Sequence, residues 1–260
     1  MKTADIVDRY LPDNVPSRTK KGYEYQTICR IGEGGMTEGV FLVRLQKTLT
    51  TVSEEPVYKK LLTMKLMTER KLREDPELYE KRKKNLQSEV ECLRHADKET
   101  SITLFEYFKA NQCHYIITDL VLGKDLLTIQ EQFRPKFSEI EARNVIAKVI
   151  HSVRSLKNNK VQIVHRDFHS QNIMLHFPKI KPKQKDLEEP EVFYKEKMDK
   201  LIYDQVKDLK DPKKFQTKII DYGFAKLFDA EDQVKIYTPN LGVDFVQAPE
   251  MYDENIDFYT

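Results

Sequence analysis

Residues 161–175 constrain this chain more than any other stretch. The apolar run Val161-Gln162-Ile163-Val164 leads into His165-Arg166-Asp167-Phe168-His169-Ser170-Gln171-Asn172, and Ile173-Met174-Leu175 follows at once. A polar loop this short between two buried segments has few conformations available. The Asp167 carboxylate and the Asn172 carboxamide are therefore held at a set separation. Such a pair suits a base that touches a hydroxyl and an amide that touches a metal.

Composition bounds the remaining choices. At 260 residues and 40% apolar, the chain can bury a core as one or two domains. Lys+Arg 44 against Asp+Glu 42 leaves a net +2, which points to no nucleic acid or other polyanion partner. The 33% charged residues are mixed in sign and interrupt long apolar-periodic segments, as a solvated surface does. Cys29, Cys92 and Cys113 stand apart, odd in number and without metal spacing, as expected in a reducing compartment. No apolar run reaches membrane-spanning length, and residues 1–11 lack a signal-peptide core. An intracellular, cytoplasmic protein without a membrane partner is expected. No internal repeat is visible.

Upstream, Tyr23-Glu24-Tyr25-Gln26-Thr27-Ile28-Cys29-Arg30-Ile31 alternates as a strand. Gly32-Glu33-Gly34-Gly35 follows, and Val40-Phe41-Leu42-Val43 opens a second strand. Glycines between two strands let backbone N–H groups face phosphate oxygens, although many hairpins also carry glycines. Leu61-Leu62-Thr63-Met64-Lys65-Leu66-Met67 is a strand with Thr63, Lys65 and Met67 on one face. A lysine in such a run either snorkels at an edge or meets an anion. Asp75-Pro76 offers an N-cap and first-turn proline for a helix reaching about His95. Leu86, Val90 and Leu93 mark its buried stripe. Glu89 lies on that stripe, where a carboxylate needs a cation, and Lys65 is the available one.

Two further strands are expected at 103–108 and 114–121, the second leading into Leu122-Gly123-Lys124-Asp125-Leu126. Ser138-Glu139-Ile140-Glu141 fits a capping box. Val145, Ile146, Val149, Ile150, Val153 and Leu156 then read as the buried stripe of an amphipathic helix. His151 and His165 are expected to be structural, since no Cys/His cluster surrounds either. Residues 178–214, rich in Lys, Glu, Asp and Pro, read as an insertion, with Met198, Leu201, Ile202, Val206 and Leu209 at helical spacing. A solvated decoration is the favoured reading there, and a docking element for a partner the alternative. Past it, Lys218-Ile219-Ile220 runs apolar into Asp221-Tyr222-Gly223, an aspartate at a strand end with a glycine that lets the chain turn.

In that order these segments resemble a eukaryotic-type protein kinase over roughly residues 23–260. The matching pieces are Gly32/Gly34, Lys65, Glu89, His165 to Asn172, Asp221 to Gly223 and Ala248-Pro249-Glu250. The resemblance implies an α+β, two-lobed fold. Residues 23–121 would be a small antiparallel sheet plus helix, and 122–260 a mainly helical, incomplete lobe carrying the insertion. It implies transfer of the ATP γ-phosphoryl to a protein hydroxyl. Lys65, held by Glu89, would orient the phosphates; Asn172 and Asp221 would hold Mg2+; Asp167 would accept the hydroxyl proton. Ile31, Gly32, Gly34, Val40, Thr63, Lys65, Thr118, Asp119, Val121, Asp125, Met174 and Asp221 would make up the nucleotide site. Thr118 would be the gatekeeper, the backbone of Asp119 and Val121 would bind adenine, and Asp125 would be placed for the ribose. Arg166 would pair with a phosphate on Tyr237 or, preferably, Thr238.

Several positions depart from the pattern. Thr37 stands where a third glycine is expected, Thr63 where alanine is usual, and Tyr222 takes a Phe place. His169 replaces a lysine and Val243 a threonine, which weakens a serine/threonine assignment. Asp167-Phe168-His169 also looks like aminoglycoside- and choline-type small-molecule kinases, against which Arg166 and Ala248-Pro249-Glu250 argue. A pseudokinase or scaffold is a third reading. Asn255-Ile256-Asp257-Phe258-Tyr259-Thr260 resembles only the start of a large helix. On that reading the chain is expected to be a truncated kinase, poorly stable and weakly active unless a partner covers it.

Overall fold

The computed structural model describes residues 13–33, 37–48, 58–158 and 160–229. In chain order come β1 (Asn14–Pro16), β2 (Tyr23–Gly32), β3 (Gly39–Lys47), β4 (Tyr58–Thr68) and the single turn α1 (Glu69–Leu72). Next are α2 (Tyr79–His95), β5 (Leu104–Ala110), β6 (Cys113–Asp119), β7 (Gly123–Asp125), the short α3 (Leu126–Thr128) and α4 (Glu139–Arg154). The second half holds β8 (Val161–Val164), β9 (Ile173–His176), α5 (Gln184–Glu188), α6 (Pro190–Val192), α7 (Met198–Val206), β10 (Gln216–Ile219) and β11 (Lys226–Asp229). These form two compact units. Of the described residues, those up to 83, 104–120 and 180–201 make the first, and 84–103, 121–179 and 202–229 the second.

The first unit is built on one six-stranded antiparallel sheet in the order β1-β2-β3-β4-β6-β5. Strand alternation sorts its side chains by chemistry. Phe41, Val43, Leu45, Leu62, Met64, Leu66, Tyr115 and Ile117 join one core cluster. Thr63 and Lys65 fall on the opposite face, as their spacing predicts. The sheet curls until its ends are tied together. Glu106 of β5 accepts from the backbone N–H groups of Arg18 and Thr19 at 2.6 and 2.7 Å, just beyond β1. It also accepts from Ser17 Oγ at 2.8 Å and from the Tyr25 hydroxyl of β2.

Residues 180–201 are no solvated decoration. They pack within the first unit, where Arg44 of β3 donates through Nη1 to the carbonyls of Leu187 (2.6 Å) and Glu188 (3.2 Å), which close α5. The Arg44 guanidinium also lies 3.6 Å from the Tyr58 ring centroid. Ile180, Pro190 and Phe193 are buried. The expected helix is present as α7, with Met198, Ile202, Val206 and the following Leu209 buried and Leu201 exposed. Composition misled here because the anchor is a cation distant in sequence, and the charged residues between the apolar ones face outward.

In the second unit, β10-β9-β7 form a three-stranded sheet and β11-β8 a two-stranded one. Gly123 is required in β7, because a Cβ there would lie 1.7 Å from the Leu175 carbonyl oxygen of β9. Helix α2 starts later than its proline suggests. The Asp75 carboxylate accepts from the N–H groups of Glu77 and Leu78, closing a separate turn first. Leu86, Glu89, Val90 and Leu93 are buried along α2. Helix α4 has its expected capping box, with Ser138 and Glu141 capping each other and Arg134 bound to Glu141 at 2.9 Å.

The stripe read for α4 needs correction. Val145 and Leu156 are buried, but Ile146, Ile150 and Val153 stand 57%, 46% and 42% exposed among the described residues. The face toward β10 carries Ser152 instead, whose hydroxyl meets Thr217 Oγ1 at 2.6 Å, while Thr217 donates to the Lys148 carbonyl at 3.0 Å. A serine with a bonded hydroxyl is as acceptable in a core as an apolar side chain. Periodicity counted from apolar residues alone cannot register it. No helix among the described residues is long and apolar enough to cross a membrane. All three cysteines are free thiols.

Candidate active site

On the first unit, sheet register aligns the residues expected at the nucleotide. Gly32 of β2 faces Val40 of β3, and Val40 faces Lys65 of β4. Leu42, Thr63 and Thr118 form the adjoining cross-strand row. Paired residues of neighbouring strands share a face, so Val40, Thr63, Lys65 and Thr118 emerge together on the side away from the core cluster. Ile31 precedes Gly32 in β2. At the end of β6, Asp119 binds Lys60 of β4 at 2.7 Å.

The second unit carries the polar loop. Val121 is buried ahead of β7, whose register sets Asp125 opposite Met174 of β9. Both Asp125 oxygens cap α3, accepting from Thr128 N at 2.9 Å and Thr128 Oγ1 at 2.5 Å. Glu89 is buried on α2, four residues before Leu93. Strands β9 and β10 pair from Ile173↔Ile219, and Ile220 N donates to the Asn172 carbonyl at 3.0 Å. That pairing sets Asn172 beside the Ile220-Asp221 corner. Asn172 Nδ2 donates to the Asp167 carbonyl at 2.9 Å and to Asp167 Oδ2 at 3.0 Å. The loop thus folds back on itself around Asp167.

Backbone strain marks both corners. Arg166 and Asp221 adopt φ of +62° and +55°, the left-handed region that side chains other than glycine seldom enter. Each is held in place: Arg166 Nε donates to the Phe224 carbonyl at 2.7 Å, and Asp221 Oδ1 accepts from Gly223 N at 3.2 Å. Burial pushes the Arg166 guanidinium below its ordinary value. His165 is buried and donates through Nε2 to the Ile220 carbonyl at 3.1 Å, and burial lowers its affinity for a second proton. It is structural, as expected, with its ring edge-on to Phe168 and Tyr222.

Residues 25–259 match the protein kinase domain family. The chain belongs to that family. Its relatives include calcium-dependent protein kinase 4 of Plasmodium falciparum, 26% identical over 68% of this chain and 27% of that protein. Ribosomal protein S6 kinase 2 alpha of Xenopus laevis is 28% identical over 70% of this chain and 21% of its own. A probable myosin light chain kinase of Dictyostelium discoideum is 26% identical over 60% and 42%. The chain spans less than half the length of each of these relatives. Membership establishes the two-lobed, α+β protein kinase fold, in which the six-stranded unit is the sheet-rich lobe.

Within this kinase, Tyr222 gains a meaning that its ring alone did not suggest. Its hydroxyl is fully buried and donates to Ser101 Oγ at 2.6 Å, and burial raises it well above the ordinary tyrosine value. Ser101 also bridges to Ile219 of β10, so the segment that leaves α2 is tied both to the strand before Asp221 and, through the extra hydroxyl, to the residue after it. Reading residues in order could not find this partner, which lies 121 positions away. Gly34, Tyr237, Thr238, Val243, Ala248 to Glu250 and Asn255 to Thr260 lie outside the described residues.

Proposed function

We propose that this kinase uses ATP and Mg2+ to phosphorylate a hydroxyl of a protein substrate, serine/threonine or tyrosine. The observation that carries the reading is the run of contacts that joins Asp167 to Asn172, and Asn172 to the Ile220-Asp221 corner. It gathers a carboxylate base, a carboxamide and a second carboxylate at the ends of paired strands. The amide and carboxylate oxygens of Asn172 and Asp221 are hard donors that fit Mg2+, and Asp221 is fixed by its bond to Gly223. Among the described residues no group of three His, Cys, Asp or Glu competes as a metal site. When bound, Mg2+ would neutralise phosphate charge.

The protein's own groups take the remaining tasks. Lys65 would orient the phosphates and Glu89 would hold Lys65, since a buried carboxylate requires a cation. Ile31, Gly32, Gly34, Val40, Thr63, Thr118, Val121 and Met174 would enclose the nucleotide, with the Asp119 backbone at its adenine edge. Asp125 would reach the ribose only by sharing its capping bonds. Asp167 would accept the hydroxyl proton of the substrate. A docking partner of the insertion would meet Val192, Leu201 and Tyr203, which are exposed.

Mg2+-dependent ATP turnover, measured with protein and with small-molecule acceptors, tests this reading. Transfer to a protein acceptor that collapses in Lys65→Met is expected. Transfer only to small molecules, or unchanged turnover in Lys65→Met, refutes it.

A further inference from the structure

Resting on that reading of Asp167 as the base, we infer that His169 is its positioning residue, with Nε2–H donating to Asp167 Oδ1. The loop contains an imbalance that exposes this. Asp167 is 12% exposed, and its Oδ1 is buried with no hydrogen-bond partner. His169 Nε2 stands 3.6 Å from that atom and 3.1 Å from Asn172 Nδ2.

Counting hydrogens decides what Nε2 does. A carboxamide nitrogen carries two, and Asn172 delivers them to the Asp167 carbonyl and to Oδ2. Because both neighbours are oxygen acceptors, the amide cannot be turned the other way round. None of its hydrogens remains for His169. On the far side of the ring, Nδ1 caps the loop by accepting from Gln171 N at 3.3 Å. A neutral imidazole has one N–H, and with Nδ1 accepting, it sits on Nε2. The acceptor left within reach is Asp167 Oδ1. A shortening of roughly half an ångström brings the pair to normal hydrogen-bond length.

Asp167 is then gripped on both oxygens, Oδ2 by Asn172 and Oδ1 by His169. This fixes the rotation of the carboxylate toward the incoming hydroxyl. His169 supplies a neutral N–H aimed at the base, so it does not stand in for the positive charge of the lysine it replaces.

Two substitutions in the full chain separate this role from simple capping. An asparagine amide overlays Nδ1 of histidine and a glutamine amide overlays Nε2. His169→Asn therefore keeps the cap on Gln171 and loses the donor to Asp167, while His169→Gln does the reverse. A hydrogen bond to a charged group is worth roughly 10–100-fold. His169→Asn is expected to lose about that in kcat with KM for ATP unchanged, and His169→Gln to stay near wild type. Equal activity in both, or loss in Gln with Asn intact, overturns the inference. Nitrogen-15 NMR of the imidazole, read without any turnover, must show the proton on Nε2; a proton on Nδ1 also overturns it. Should the wild type transfer no phosphoryl to protein, the function proposed above fails, and the NMR result alone decides the contact.

Discussion

Glu106 in the sheet-rich unit and Asp167 in the polar loop are both carboxylates largely removed from solvent, and their surroundings differ in completeness. Glu106 is 4% exposed and receives four donors, two on each oxygen. Asp167 receives one side-chain donor on Oδ2, and Oδ1 has only the His169 ring at 3.6 Å. A saturated carboxylate has no lone pair left for a substrate and serves as a staple. An unsaturated one bears a standing desolvation cost that a substrate hydroxyl can relieve. On the proposed function, the contrast sets a scaffold carboxylate beside the candidate base.

The largest expected effect tests the Asp167 side of that contrast. Asp167→Asn should lower kcat by about 10²–10⁴, or roughly 3–5 kcal/mol on the barrier, with Mg-ATP binding retained. Its melting temperature should stay close to wild type, since Asn fits the same space. Full activity in this variant would remove Asp167 as the base.

Glu106→Gln should do the reverse. Replacing one oxygen by a donor faces N–H groups with an N–H, at a cost of about 1–3 kcal/mol in urea unfolding. Turnover by the folded fraction should be unchanged. A loss of kcat without loss of stability would erase the distinction drawn here.

Arg44 is a mixed case, with Nη1 bonded to the insertion and Nε buried without a hydrogen-bond partner. Arg44→Ala should cost about 1 kcal/mol and open residues 180–192 to limited proteolysis. Unaltered cleavage would show that apolar burial alone holds the insertion.

The smallest effect concerns pH. Hydrogen bonding from Lys109, with His114 and Tyr79 adding to it against the opposing effect of burial, holds the Glu69 carboxyl at about 2, below its ordinary 4.5. Its contribution is fully present above pH 4.5 and is lost as pH falls toward 2. Because Lys109 is half exposed, solvent screens the pair and the slope should be shallow. Glu69→Gln should flatten the acid-unfolding curve in that window; an unchanged curve would show that the pair contributes no measurable stability.

Local order made much of this kinase legible. The strands around Lys65 follow from a period of two, the stripe of α2 including Glu89 from a period of 3.6, and the Asp167–Asn172 loop from its two apolar flanks. Each depends on residues a few positions apart, where backbone geometry alone links spacing to direction. On α4 the burial of Ser152 was not legible, because its partner Thr217 lies 65 positions away.

Long-range partners account for the remainder. Glu106 in β5 looks like any strand glutamate until the curled sheet brings Ser17, Arg18, Thr19 and Tyr25 to it. The insertion looks solvated until Arg44 reaches its carbonyls, and Tyr222 looks like a Phe substitute until Ser101 meets its hydroxyl. Asp167 was recognisable from its neighbours in sequence, but the approach of the His169 ring to Oδ1 could not be read there. Residue type and spacing set which groups a segment can present and on which face. Whether a polar group ends up satisfied depends on donors brought from distant segments, and only the folded chain supplies them.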